Sequence, residues 1–244
     1  MIPLYLKEVR SFLSSVVGYT FIIIFLVACW LFNWMIESDD MNLIGQNQAD
    51  LVPFFKTAPY IFLMLIPAIT MRSIAEERRS GTIELLFTRP ISDLNILLAK
   101  YFAGVTLLLI ALLPTLVYYF SIDYLALKDP GMDSGVAIAS YIGLLLLGSA
   151  YVAIGIFASS LTSNQIVAYI LACSMCYFFF DGLFSLGSYA QFGKLDLIIK
   201  YLSLSYHYEA INKGVLIAGD LIYCISVIVL FLSASLLVIK SLKK

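Results

Sequence analysis

The sequence predicts an all-α, polytopic membrane protein with six transmembrane helices, and three observations carry that prediction. Hydrophobic residues make up 61% of the chain and charged residues 13%, against about 45–50% and about 25% in soluble domains. Charges are also absent from long stretches: residues 11–36 and 134–180 contain none, and about 20 apolar residues suffice for a helix to cross the hydrocarbon. Finally, Lys and Arg are sorted. With six spans, ten of them (Lys7, Arg10, Arg72, Arg78, Arg79, Arg89, Lys100, Lys240, Lys243, Lys244) fall on the side of the termini and five (Lys56, Lys128, Lys194, Lys200, Lys213) on the other. Basic loops stay in the cytoplasm, so the expected topology is N-in, C-in.

Composition also excludes classes. A net charge of −1 leaves no electrostatic footprint for nucleic acid. Cys173 and Cys176 form a CxxC, but within a predicted span, where two small buried residues on one helix face are the simpler reading. A zinc site needs more ligands than the single histidine, His207, supplies. No GxxxxGK[ST] phosphate loop occurs, so any ATP hydrolysis belongs to another chain. The charge-free run after Lys7 and Arg10 is too long for a signal-peptide core, which predicts a retained anchor.

Each element follows from local pattern. Residues 1–14 read as an amphipathic interface helix, with Ile2, Leu6, Val9 and Leu13 on one side and Lys7, Glu8, Arg10 and Ser11 facing water. Span 1 is expected at 16–36, with Trp30 and Trp34 at its interfacial end, followed by an acidic loop. Span 2 is expected at 53–72, with Lys56 snorkelling outward and Pro67 in its interior. Span 3 covers 97–122, span 4 138–157, span 5 166–186 and span 6 221–239, all within a single domain, 1–244. SSLTSNQ at 159–165 is the turn between spans 4 and 5. Gly148, Gly155 and Ser159 fall near one side of span 4, where small residues allow close helix approach. The segment 187–219 is too apolar for a flexible loop. It predicts helices outside the membrane or re-entrant, including one at 206–213 stopped by Gly214, and Asp220 reads as the cap of span 6.

The loop 72–100 is strongly basic yet keeps an apolar rhythm. Gly81 interrupts it, Thr82 can cap a short helix with Glu84 in its first turn, and Ile83, Leu85, Leu86 and Phe87 give that helix an apolar side. Pro90 ends it, and Ser92 caps the next helix. Exposed Leu and Phe need a cover, which on residue pattern alone is either the membrane surface and the chain's own spans or another protein.

EERRSGTIELLFTRPIS and LLAKYFAG closely resemble the cytosolic loop of ABC-2-type transporter permeases. KEVRSFLSSVVGYTFIIIFLV, IGIFASSLTSNQIVAYILA and YLSLSYHYEAINKGVLIAGDLIYCISV are similar to that family's first span, fourth-to-fifth span hairpin and last extracytoplasmic segment. Within the family the chain looks most like the gliding-motility-associated permease subunits of Bacteroidota. The resemblance implies a multi-pass protein of the bacterial inner membrane that binds no cofactor itself, ATP and Mg residing on a separate cytosolic ABC ATPase. It implies a dimer with spans 1 and 5 near the interface and, for the gliding subtype, an auxiliary membrane protein with a large extracytoplasmic domain. The loop residues Glu77, Arg78, Gly81, Thr82, Glu84, Leu85, Leu86, Phe87 and Arg89 would then couple the ATPase to the spans, for export or for secretion and gliding machinery. A non-transporting scaffold that anchors ATPase and auxiliary subunits is the alternative.

Four further polar residues are candidates for a substrate path or subunit contact. Asp181 lies in the outer half of span 5, where an intramembrane carboxylate costs up to about 2.5–3.5 kcal/mol; snorkelling to the surface explains it equally well. Glu209 and Lys213 have the i, i+4 order of a helix-surface ion pair, and Asp220 opens span 6. Ser203, Ser205 and His207 lack a partner set for nucleophile activation and read as a polar cap at the membrane surface.

Overall fold

The computed structural model describes residues 2–36, 43, 50–82, 92–125, 133–189, 193–215 and 217–243. Among these, six helices are long and apolar enough to cross a membrane: span 1 (Val16–Met35), span 2 (Val52–Arg79), span 3 (Asp93–Leu125), span 4 (Ser134–Leu161), span 5 (Gln165–Ser188) and span 6 (Ala218–Leu242). The described residues contain no strand, so the all-α prediction holds. Spans 3 and 4 are longer at both ends than the expected 97–122 and 138–157; Ser92 caps the helix that runs into span 3, as expected, and Asp133 starts span 4 four residues early. The Ser92 hydroxyl accepts from Asn95 N, and the Asp133 carboxylate accepts from the Gly135 and Val136 amides.

Span 4 is the axis of the bundle. Of its most apolar window 78% is buried, against 67% and 61% for spans 2 and 3 and only 22–28% for spans 1, 5 and 6. The last three therefore turn most of their surface outward. Small residues on span 4 make the central packing close. A Cβ on Gly148 would lie 2.5 Å from Leu108 Cδ2 of span 3, and one on Gly155 would lie 2.0 Å from Thr70 Oγ1 of span 2. Between spans 4 and 5 the predicted turn is present, with Asn164 accepting from Ile166 N at 2.9 Å. Pro114 converts one turn of span 3 to 3-10 geometry at Leu113–Thr115, as expected where proline removes a helical donor.

The N-terminal helix (Ile2–Ser14) is present, but its protein-facing side differs from the expected one. Leu4 packs with Ile96 and Ala99 of span 3, and Tyr5 hydrogen-bonds Thr106 at 2.8 Å. Ile2 and Leu6 stay exposed, as suits a lipid-facing stripe. The helix thus has three sides, and Glu8, read from sequence as facing water, belongs to the side against span 3. Ser15 accepts from Gly18 N to start span 1. Gly18 is required there, since a Cβ would sit 2.1 Å from the Phe12 carbonyl. Trp30 is exposed as expected, whereas Trp34 turns inward against Tyr118, with ring centroids 6.2 Å apart.

At the end away from the termini, two short helices, Lys194–Tyr201 and Leu204–Asn212, follow span 5. The second starts two residues before the expected position because Ser203 caps it, and Gly214 at φ +80° follows its end. It is a plug, not a surface cap. Tyr208 donates to the Phe55 carbonyl of span 2 at 2.7 Å, and Ser203 donates to the Phe180 carbonyl of span 5. Burial pushes the Tyr208 phenol up, which keeps it a donor.

Replacing Gly155 by Ala should force spans 2 and 4 apart at Thr70, a short β-branched side chain that cannot swing aside. Overpacking of this kind costs about 1–3 kcal/mol. Thermal unfolding in detergent should show the loss, whereas Gly219→Ala, whose nearest neighbour would be 3.9 Å away, should unfold like the parent.

Candidate coupling site

The polar residues of the span 2–3 loop are organised by side chains from elsewhere. The regular helix of span 2 ends at Thr70, the chain turns over residues 71–74, and a short helix, Ala75–Arg79, follows. Its first residues lack a local side-chain cap. Ser159 of span 4 supplies one: its hydroxyl accepts from the Ile74 and Ala75 amides at 3.0 Å each and donates to the Met71 carbonyl at 3.0 Å. Orphan amides at a helix start need such acceptors. Glu76 and Glu77 in the first turn and Arg78 and Arg79 in the last complement the helix dipole. Arg78 also donates to the Ser160 carbonyl at 2.6 Å, so the loop is bound twice to the end of span 4.

Lys100 of span 3 is the third anchor. Its side chain is 4% exposed, and its ammonium lies 2.7 Å from Glu77 Oε1, 3.6 Å from Glu8 Oε1 and 2.8 Å from the Ser73 carbonyl. Two of its three donors make hydrogen bonds, to Glu77 and the Ser73 carbonyl, and Glu8 completes the ion pair. Span 3, the span 2–3 loop and the N-terminal helix therefore meet on one buried charge. Lys243, just past the end of span 6, reaches Asp93 at the start of span 3 at 3.4 Å, which places the N-terminal helix and the end of span 6 on the same side.

Of the loop residues singled out from sequence, Glu77 and Arg78 are in these contacts. Gly81 has φ +71°, a conformation that L side chains resist. The Thr82 hydroxyl pairs with Ser80 Oγ at 2.9 Å. Glu84, Leu85, Leu86, Phe87 and Arg89 lie outside the described residues.

The four candidates at the opposite end do not form one site. Asp181 is half-buried in a π-helical turn, Phe178–Gly182. Glu209 and Lys213 are exposed and make no ion pair among the described residues, so the helix-surface pair read from their spacing is absent. Asp220 is not the cap of span 6, which begins at Ala218 after Ile217. It is buried and bonds His207 Nδ1 at 2.6 Å, while His207 Nε2 lies 2.9 Å from the Tyr201 carbonyl. Tyr223 stacks on the imidazole at 4.0 Å. His207, read as part of a surface cap, is instead a buried tie between the plug helix and span 6.

A family model described as "ABC-2 family transporter protein" matches residues 3–241. The chain belongs to the ABC-2 transporter family. The comparison with curated proteins found no match. As an ABC-2 family member the chain is a multi-pass membrane subunit of an ABC transporter and not itself the catalytic one; membership implies an ABC ATPase as partner.

Lys100→Met should destabilise this ABC-2 subunit by about 3 kcal/mol, the loss expected when one partner of a buried ion pair is removed. Adding Glu77→Gln should restore part of that, since the uncompensated charge is then reduced. Thermal unfolding of the single and double variants reads both effects.

Proposed function

We propose that this ABC-2 subunit faces its loop and both termini to the cytoplasm and docks a separate ATPase on the segment 83–91. The ATPase closes on ATP, and the loop passes that movement to spans 2, 3 and 4. The observation that carries this reading is the binding of the loop to three elements at once through Lys100, Ser159 and Arg78. A load applied at Gly81–Thr82 reaches spans 3 and 4 and the N-terminal helix without an intervening flexible joint. The surplus of Lys and Arg at this end supports the orientation. In this reading two copies associate through the outward-facing spans 1 and 5, an auxiliary extracytoplasmic subunit completes the assembly, and the output is export or support of secretion and gliding machinery in a bacterial inner membrane.

Leu85, Leu86 and Phe87 are the apolar contact of the dock. One such side chain contributes roughly 1.5–3 kcal/mol when buried, a factor of roughly ten to a hundred in affinity. Leu86→Asp should therefore release the ATPase by that factor while the purified subunit keeps its unfolding temperature and size, and Gly81→Val should weaken retention through its strained φ. Because the ATPase is cytosolic, loss of retention also assigns the side of the loop. Retention equal to the parent in Leu86→Asp would remove this loop as the dock.

A further inference from the structure

The N-terminal helix and the span 2–3 loop leave a cleft of about 360 Å³ between them, a volume within the roughly 300–1,000 Å³ range of small-ligand sites. Lys7, Glu8 and Ser11 line it from the N-terminal helix, and Arg72, Glu76 and Glu77 from the loop. Apolar side chains line it as well: Val17 near the start of span 1 and Ile69 near the end of the regular helix of span 2. The cleft thus places polar groups beside the ends of two membrane-crossing helices.

The charges in it are of two kinds. Lys100, Glu8 and Glu77 bind one another and leave one negative charge in surplus. Lys7, Arg72 and Glu76 are exposed and form no ion pair among the described residues. The unpaired groups are therefore two cations and one carboxylate, and with the surplus of the triad the cleft is neutral overall but carries both signs. A purely anionic ligand would satisfy Lys7 and Arg72 and leave Glu76 unmatched. A zwitterion satisfies all three. Arg and Lys together suit a phosphodiester, and a primary ammonium donates hydrogen bonds to a carboxylate, which a quaternary one lacks.

We propose that this cleft binds one phospholipid with a zwitterionic, primary-amine headgroup of the ethanolamine type. The phosphate sits between Lys7 and Arg72, the ammonium meets Glu76, and the acyl chains leave past Val17 along the start of span 1, where Val16 and Tyr19 are exposed. The lipid wedges the N-terminal helix against the loop next to Lys100. The assignment does not depend on which side of the membrane this end faces, nor on the ATPase dock.

The test is native mass spectrometry of the purified full chain in detergent, titrated separately with dioleoyl phosphatidylethanolamine, phosphatidylcholine and phosphatidylglycerol, and with soluble glycerophosphoethanolamine. The chain should retain one phosphatidylethanolamine, about tenfold more tightly than either other lipid. The Lys7→Ala, Arg72→Ala double variant should lose about tenfold or more of that affinity, the scale of one or two charge-assisted hydrogen bonds. Glu76→Gln should abolish the preference over phosphatidylglycerol while phosphatidylglycerol still binds, which reports an intact cleft. Equal retention of the three lipids, or phosphatidylethanolamine retention unchanged in the double variant, overturns the proposal. Binding of the soluble headgroup as tight as the lipid assigns the cleft to a small solute and overturns it as well.

Discussion

A single buried ammonium holds this end of the molecule together. Lys100 is 5% exposed, and a lysine in that position is tolerated only with its charge compensated and its donors matched. Glu77 and the Ser73 carbonyl, both of the loop, and Glu8 of the N-terminal helix meet that demand, so with Lys100 on span 3 the ion joins three separate parts of the chain. The desolvation cost of the ion thereby fixes the relative placement of span 3, the loop and the N-terminal helix. The Ser159 hydroxyl and the Ser160 carbonyl extend the same network to span 4. A loop built this way transmits displacement; one bound only by its two ends would absorb it.

Around that node the apolar packing is conventional for helices in lipid, where close approach replaces the hydrophobic drive. Span 4 provides the small residues, Gly148 and Gly155, and spans 2 and 3 close onto them. At the opposite end the same span meets the plug helix, where Ser140 donates to the Asn212 carbonyl at 3.2 Å. One rigid span therefore links the loop end to the plug, whose Tyr208 and His207 bind span 2 and span 6. Spans 1, 5 and 6 pack around this frame and turn outward the exposed apolar surface that lipid or a second copy would cover.

What was legible in the sequence was what local signals encode. The spans followed from charge-free length, the caps at Ser92 and the turn at 162–164 from residue type, and the positive φ at Gly81 and Gly214 from glycine after a helical run. The pairings were not legible, because each joins residues far apart along the chain. Lys100 read as one more basic residue of the loop, and Glu8 as part of a solvated face; only the docking of the N-terminal helix on span 3 turns them toward each other. Asp220 had the right residue type and place for a cap, yet a buried imidazole from the plug competes for the same carboxylate and holds it. The Ser159–Ser160 pair was noticed as part of a turn, while its role as a cap for another helix has no local signature.

The proposed coupling requires the loop and the ends of spans 3 and 4 on the side of the termini to move as one body. Spin labels on Arg79→Cys and Thr162→Cys in a cysteine-free background report it through their distance distribution by double electron–electron resonance, with the ATPase bound, before and after addition of a non-hydrolysable nucleotide. A single narrow distribution, unchanged by nucleotide in the parent and broadened by Ser159→Ala, is the predicted result. A distance that shifts with nucleotide in the parent, or one indifferent to Ser159→Ala, would contradict it.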